Sequence, residues 1–281
     1  MNWSIANKPI AAVFAPLKTD NTLNLELIPI YIDHLIKIGI DEVSHATTLN
    51  IDAIAVLPPT YFKPISLDDL LDYCHELCKL APKVPFLYYH IPEVTGITGK
   101  SLQLKCLHFY PKIFNFRAVK MYDFFRKVSQ NIAQCPNLIG CKYTSIDLAD
   151  ANRTSLIENG KFEVILGAES VLLGALAMGI KASIGISYSV CGSKINQMIK
   201  DFQNGDFESA RHEQNKIQEI FFACGQISDD AASSFNVNEL IASFKFALKI
   251  IEPRLDCGPV RLPLKNPSVK KIDHLKLVLN S

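Results

Sequence analysis

A lysine in this sequence stands where an amine could act as a nucleophile. Lys142 lies in "LIGCKYT" at residues 138–144, a stretch that reads as a buried strand. Because an ammonium is costly to desolvate, an amine in an apolar interior loses its proton more readily. A neutral amine attacks a ketone and forms a Schiff base, whose protonated form draws electrons from the neighbouring carbon–carbon bond. The position of this lysine therefore indicates chemistry on a keto compound.

A tyrosine is the second candidate for the same site. Side chains alternate between the two faces of a strand, so Gly140, Lys142 and Thr144 share one face. The same alternation in "PFLYYHIP" at residues 85–92 points Tyr89 toward a barrel interior that Lys142 would also face. A phenol close to an imine can move a proton to or from the substrate oxygen. Alternatively, Lys142 reaches solvent from the strand end and Tyr89 belongs to the core, and position alone leaves both interpretations open.

The elements that must position these side chains are short apolar strands alternating with amphipathic helices, which is typical of an α/β fold with a parallel sheet. Ser66, with Asp69 three residues later, predicts a capped helix start, and Pro82 predicts the end of that helix. From about residue 194 only helical patterns remain. We therefore expect a barrel domain at residues 1–193 and a helical extension at residues 194–281. The six predicted strands are residues 10–16, 53–59, 85–92, 138–144, 162–168 and 181–187.

Six strands fit two architectures. A closed (β/α)8 barrel needs eight strands, so a barrel in this chain would be incomplete. An open doubly wound sheet needs no closure, but no G-x-G-x-x-G turn follows the first strand to support dinucleotide binding.

Composition excludes several classes of partner. The chain has 29 Lys and Arg against 28 Asp and Glu, a formal net charge of +1, which gives no electrostatic reason to expect nucleic acid or an anionic membrane. The N-terminal stretch does not resemble a signal peptide, and the most apolar stretch, residues 171–180, is too short to span a bilayer. We therefore expect a soluble, cytoplasmic protein. The pair Cys74 and Cys78 has no second pair at zinc spacing, so we predict no metal.

Four motifs resemble one family of enzymes. They are "YYHIPEVTG" at 88–96, "GCKYTS" at 140–145, "LGAES" at 166–170 with the "LLGALAMG" that follows, and "GPVRLPL" at 258–264. All four closely resemble the N-acetylneuraminate lyases of animals, which belong with dihydrodipicolinate synthase to the pyruvate-dependent class I aldolases. The resemblance implies a (β/α)8 TIM-type barrel with C-terminal helices, usually a homotetramer. It also implies cleavage of sialic acid to N-acetylmannosamine and pyruvate without a metal or other cofactor.

The resemblance also implies roles for individual residues. Lys142 matches the Schiff-base lysine of the family, and Tyr89, directly before His-Ile-Pro, matches its proton shuttle. Thr144 stands where the family has a small hydroxyl near the substrate. Gly167 matches the glycine of a Gly-x-Asp-Glu stretch that holds the sugar chain.

Three positions depart from the family pattern. Glu169 keeps a carboxylate that is one methylene longer than the family's aspartate, whereas Ser170 replaces a glutamate. Ile186 replaces a serine that contacts the substrate. Because these positions concern the sugar, a second activity stays open, in which the imine chemistry is kept but the aldehyde differs, as in dihydrodipicolinate synthase.

One segment of the family pattern is missing. The family has a Gly-Thr-Thr-Gly-Glu stretch at the end of its second strand, which binds the pyruvate carboxylate. Here residues 36–40 run directly into a stretch that resembles the fourth strand, so strands two and three are predicted to be absent. Thr47 and Thr48 lack the flanking glycines, and we interpret them as loop residues, while residues 105–120 look like extra sequence. These differences leave a third possibility, an inactive relative that serves as a binding partner.

Overall fold

The computed structural model describes residues 9–38, 53–97, 120–226 and 237–280. The chain divides into two compact units. The first unit contains residues 1–48 and 183–281, and the second contains residues 49–182. Thr47, Thr48 and residues 105–119 lie outside the described residues, so the predictions made for them remain predictions. The domain boundary expected between residues 193 and 194 likewise stays a prediction.

The first unit is mainly helical. Among its described residues, two strands pair in parallel, β1 (Pro9–Ala11) and β6 (Ala182–Gly185, whose first residue belongs to the second unit). Its helices, numbered in chain order over both units, are α1 (Ile28–Lys37), α7 (Tyr188–Gln203), α8 (Phe207–Gly225), α9 (Val237–Ile251) and α10 (Val269–Leu279).

Buried polar contacts fix α1 against α7. The Tyr31 hydroxyl donates to Ser189 Oγ at 2.9 Å, and His34 Nε2 lies 2.8 Å from the carbonyl oxygen of the same serine. Asn196 Nδ2 donates to the Ile38 carbonyl at 3.0 Å. A side chain at Gly192 would approach the Ile38 side chain to 2.8 Å, so glycine allows the two helices to lie close together.

The second unit is a parallel sheet covered by helices. Its strands pair in the order β2 (Ile54–Val56), β3 (Phe86–His90), β4 (Leu138–Tyr143) and β5 (Glu163–Leu166). Its helices are α2 (Leu67–Leu80), α3 (Pro92–Thr95), α4 (Met121–Gln130), α5 (Leu148–Ser155) and α6 (Leu172–Ala177). Tyr88 and Tyr143 are buried on one face of the sheet, where they contact Phe124 of α4 and Asp150 of α5. The helices therefore cover that face.

The capped start predicted for α2 is confirmed. Ser66 Oγ accepts the backbone N–H of Asp69 at 3.1 Å, and the Asp69 carboxylate accepts the backbone N–H of Ser66 at 3.1 Å. The helix ends at Leu80, two residues before Pro82. A side-chain cap at the start and a proline just beyond the end thus mark this helix in the sequence.

The six predicted strands all occur within the described ranges, but each is shorter than predicted. The clearest case is the second, which spans residues 54–56 rather than 53–59. Pro58 and Pro59 have no N–H to donate to a neighbouring strand, so the ladder stops before them. A 3-10 turn at Glu169–Val171 directly precedes α6. No helix among the residues described above is long and apolar enough to cross a bilayer.

Candidate active site

The structure brings Lys142 and Tyr89 together. β3 and β4 are adjacent parallel strands, and Tyr89 is the register partner of Lys142. The Lys142 Nζ lies 4.2 Å from the centroid of the Tyr89 ring. Both side chains are half-buried. The alternation of the two strands therefore gives the shared face that the sequence predicts, with an amine and a phenol side by side.

The opposite face of β4 is anchored in the core. Cys141 and Tyr143 flank Lys142 and are both buried. The Tyr143 hydroxyl donates to Asp150 Oδ2 at 3.0 Å. Burial, with the Asp150 carboxylate beside it, raises the pKa of the Tyr143 phenol well above its usual value. The strand that carries Lys142 is therefore anchored on its opposite face by a neutral phenol that is hydrogen-bonded to a carboxylate.

Asp150 also caps the start of α4. Its carboxylate accepts the backbone N–H groups of Met121 at 2.9 Å and of Tyr122 at 3.2 Å, which an α-helix cannot satisfy internally. The sequence motifs predict no role for Asp150. The available signal is an aspartate three residues after the helix-capping Asp147, on the same face of α5.

Two further contacts complete this junction, which we call the α4 clamp (Asp147, Asp150 and Arg153 of the α5 region against residues 120–122). Asp147 pairs with Lys120, and that hydrogen bond lowers the pKa of the Asp147 carboxyl. The Arg153 guanidinium lies 4.0 Å from the centroid of the Tyr122 ring. The clamp therefore fixes the point at which the chain enters α4.

Thr144 and Gly167 meet at the carboxyl ends of β4 and β5. A Cβ at position 167 would lie 2.1 Å from Thr144 Oγ1, so only glycine fits there without moving the threonine. Thr144 Oγ1 is buried and forms no hydrogen bond with any of the described residues. A buried hydroxyl without a partner is costly, so this group has the capacity to bind a polar atom of a ligand.

The three positions that differ from the family pattern are distributed over both units. Glu169 is buried, and Ser170 is half-buried, in the 3-10 turn that directly follows the Gly167–Ala168 pair. Ile186 belongs to the first unit, where it is half-buried directly after β6. The structure thus gathers Lys142, Tyr89, Thr144 and Gly167 at one end of the second unit's sheet, with Glu169 and Ser170 next along the chain.

No metal centre stands out in these parts of the chain. Among the described residues, no group of three or more His, Cys, Asp or Glu side chains is arranged to hold a metal ion. Cys74 and Cys78 are both buried on α2, and burial raises the pKa of each thiol. Their surroundings favour protonated thiols that pack in the core.

His90 gives the second unit a pH-dependent stability. Its ring is buried, 8% exposed, between the rings of Tyr143 and Tyr88. Burial lowers its pKa from 6.5 to about 4. Between these values the unfolded chain binds a proton that the folded chain does not, so stability falls as the pH falls. The difference corresponds to about 3 kcal/mol.

Urea unfolding of the wild type and of His90→Gln, each from about pH 7 down to about pH 4, measures this effect. We expect a flatter pH profile in the variant, because carboxylates titrate in both proteins and cancel in the difference. Parallel pH profiles of the free energy of unfolding would show that His90 does not contribute to this pH dependence.

Comparisons with known proteins show the family of the chain. The model of the dihydrodipicolinate synthetase family matches residues 122–266, just over half of the chain. N-acetylneuraminate lyase A of Xenopus laevis is 32% identical over 234 residues, covering 83% of this chain and 65% of the relative. The chain thus spans about 65% of the length of that relative. N-acetylneuraminate lyase of Danio rerio is 25% identical over 315 residues, covering 93% of this chain and 92% of the relative.

A solved structure shows the fold. The N-acetylneuraminate lyase of Proteus mirabilis superimposes with a TM-score of 0.77 at 21% identity, covering 98% of this chain and 97% of the other. The likeness confirms the predicted fold class, a TIM-type (β/α) barrel with C-terminal helices, of which the described residues show six strands.

Proposed function

Because the chain belongs to the dihydrodipicolinate synthetase family, we propose that it is an aldolase that acts on a 2-keto acid through a Schiff base on Lys142. One observation carries this proposal. The Lys142 amine and the Tyr89 phenol lie side by side on neighbouring strands, with Nζ 4.2 Å from the ring centroid. Imine chemistry needs a nucleophilic amine and a nearby proton carrier, and this pair supplies both.

The proposed reaction is the cleavage of sialic acid to N-acetylmannosamine and pyruvate. Lys142 Nζ adds to the keto carbon of the open-chain sugar acid, and the Tyr89 phenol protonates the resulting hydroxyl, which leaves as water to give an iminium. The Tyr89 phenolate then removes the proton of the hydroxyl two carbons from the keto carbon, the bond between that hydroxyl-bearing carbon and the α carbon breaks, and its electrons move through the new enamine double bond to the iminium nitrogen. This step releases N-acetylmannosamine; Tyr89 then returns its proton to the α carbon of the enamine, and hydrolysis of the imine releases pyruvate and restores the lysine and the phenol. The relatives named N-acetylneuraminate lyase support this choice of substrate.

The Thr144 hydroxyl and the Gly167 backbone are the proposed polar contacts of the substrate. Thr144 Oγ1 is buried without a partner among the described residues, and Gly167 keeps the space beside it open. Glu169, Ser170 and Ile186 are the proposed neighbours of the sugar chain. No metal or other cofactor takes part in the proposed reaction.

Trapping with pyruvate and borohydride tests the imine. Incubation of the full chain with pyruvate, followed by sodium borohydride, is expected to attach one reduced pyruvyl group, which peptide mass mapping locates at Lys142. The control omits pyruvate. A folded sample that gains no mass would contradict the aldolase proposal and would favour an inactive relative.

A second aldolase activity is favoured by Ser170 and Ile186. Each stands where the family resemblance has a residue that contacts the sugar, so polar contacts to a long hydroxylated chain are lost. A substrate panel of sialic acid, shorter 2-keto sugar acids and pyruvate with small aldehydes separates the two activities. Cleavage confined to sialic acid would remove this second candidate.

We further propose a cytoplasmic homotetramer, on the strength of the family resemblance. The described cysteines are all free thiols, which suits a reducing compartment. Sedimentation equilibrium over a range of protein concentrations measures the assembly, and a monomer throughout that range would contradict the tetramer.

A further inference from the structure

The amine of Lys142 faces the flat side of the Tyr89 ring rather than its hydroxyl. Nζ lies 4.2 Å from the ring centroid, well inside the roughly 6 Å range of cation–π attraction. Within the described ranges, Lys142 Nζ forms no ion pair, and neither it nor the Tyr89 hydroxyl forms a hydrogen bond. The ring face is therefore the group that the structure places directly beside the amine.

The two strands hold the ring under the amine. Tyr89 is flanked by Tyr88 and His90, which are buried on the opposite face, and the register pairs Tyr89 with Lys142 directly. Tyr143 anchors β4 on that same face, where it is buried and its hydroxyl donates a hydrogen bond to Asp150. The contact is therefore set by two anchored strands, although both of its members are themselves half-buried.

The electrons of an aromatic ring attract a cation above its face. The attraction is worth about 0.5–1 kcal/mol at exposed sites and about 2 kcal/mol when water is excluded. A carboxylate at the same distance would also attract the cation, but it is a base that can take up a proton from the nitrogen. A ring face attracts the cation and offers no such base.

We infer that the face of the Tyr89 ring is the binding site for the cationic nitrogen of Lys142, first as the ammonium and then as the iminium of the substrate adduct. The second half of this inference rests on the proposed function. The same nitrogen atom carries the positive charge in both states, so one ring serves both. Tyr89 then has two separable parts, a hydroxyl that moves protons and a ring that stabilises the cation.

Graded fluorination of the ring tests the inference. Tyr89→Phe and its mono-, di- and trifluorinated analogues, introduced at position 89, keep nearly the same shape while the ring face becomes less negative. The first readout is reductive methylation of Lys142 with formaldehyde and cyanoborohydride, which needs a neutral amine and no substrate. We expect its rate to rise about 3- to 10-fold from phenylalanine to the trifluorinated ring.

Two controls accompany this series. Lys161, which pairs with Glu158 away from the site, should be methylated at the same rate in every variant. The same fluorinated residues at Phe124, which is buried against Tyr88, should leave the methylation of Lys142 unchanged. A Lys142 rate that stays flat across the series at position 89 would overturn the inference.

The second readout is the fraction of Lys142 trapped as imine at graded pyruvate concentrations. We expect the pyruvate affinity to fall about 3- to 10-fold across the same series, because the iminium loses its stabilising ring. A rise in methylation without a fall in affinity would overturn the part of the inference that concerns the iminium. If no variant and no wild-type sample forms an adduct, the proposed function fails, while the methylation series still decides whether the ring binds the ammonium.

Discussion

Lys142→Arg is expected to form no borohydride-trapped adduct with pyruvate and to lose lyase turnover by a factor on the order of 10⁴ or more. Arginine keeps a positive charge over the Tyr89 ring but stays protonated, so it cannot attack a ketone. Lys142→Met removes the charge as well and should be equally inactive. Because Lys142 forms no ion pair with the described residues, neither variant should lose much stability.

Peptide mapping of the wild-type adduct supplies the control for this prediction. Lys245 is a buried lysine, whose Nζ donates to the Pro259 carbonyl at 2.8 Å. Burial lowers the pKa of Lys245, so it is the rival site for an imine. A pyruvyl group found on Lys245, or an undiminished adduct in Lys142→Arg, would contradict the assignment of Lys142.

Gly140→Ala is expected to destabilise the protein by about 3–5 kcal/mol, a large effect for one methyl group. A Cβ at this position would lie 1.9 Å from the backbone oxygen of Glu163 and 2.7 Å from its backbone nitrogen. Backbone atoms cannot swing aside as a side chain does, so β4 and β5 would have to separate. Because Lys142 lies two residues further along β4, the trapping of pyruvate should fall together with stability.

Gly174→Ala is the matched control for this substitution. Its Cβ would meet only the end of the Leu148 side chain, at 3.0 Å, and alanine favours the helical backbone of α6. Urea unfolding of both variants measures the free energies of unfolding. Equal stabilities would show that the close approach of β4 and β5 does not constrain position 140.

What could be predicted from the sequence was local or periodic. The start of α2 follows from Ser66 and Asp69, three residues apart, and the shared face of Tyr89 and Lys142 follows from strand alternation. The ends of strands were harder to predict, because a strand ends where the neighbouring strand no longer forms hydrogen bonds with it. At residues 54–56 the ladder ends two residues before the prolines that the sequence shows.

Contacts between distant residues were beyond prediction. Asp150 matters because Tyr143 and the start of α4 converge on it, and its spacing from Asp147 does not reveal these partners. Gly140 and Gly167 are needed because the Glu163 backbone and Thr144 lie close in space. The steric demand on each glycine comes from its neighbour strand, so spacing along the chain could not reveal it.

The α4 clamp has a consequence for how this chain tolerates change. Residues 120–122, where the chain enters α4, are held by hydrogen bonds, an ion pair and a cation–π contact from Asp147, Asp150 and Arg153. The clamp therefore lies between any change in the sequence upstream of Lys120 and the strand that carries Lys142. New sequence can be introduced upstream of Lys120, by natural variation or by design, while the position of the reactive amine is kept.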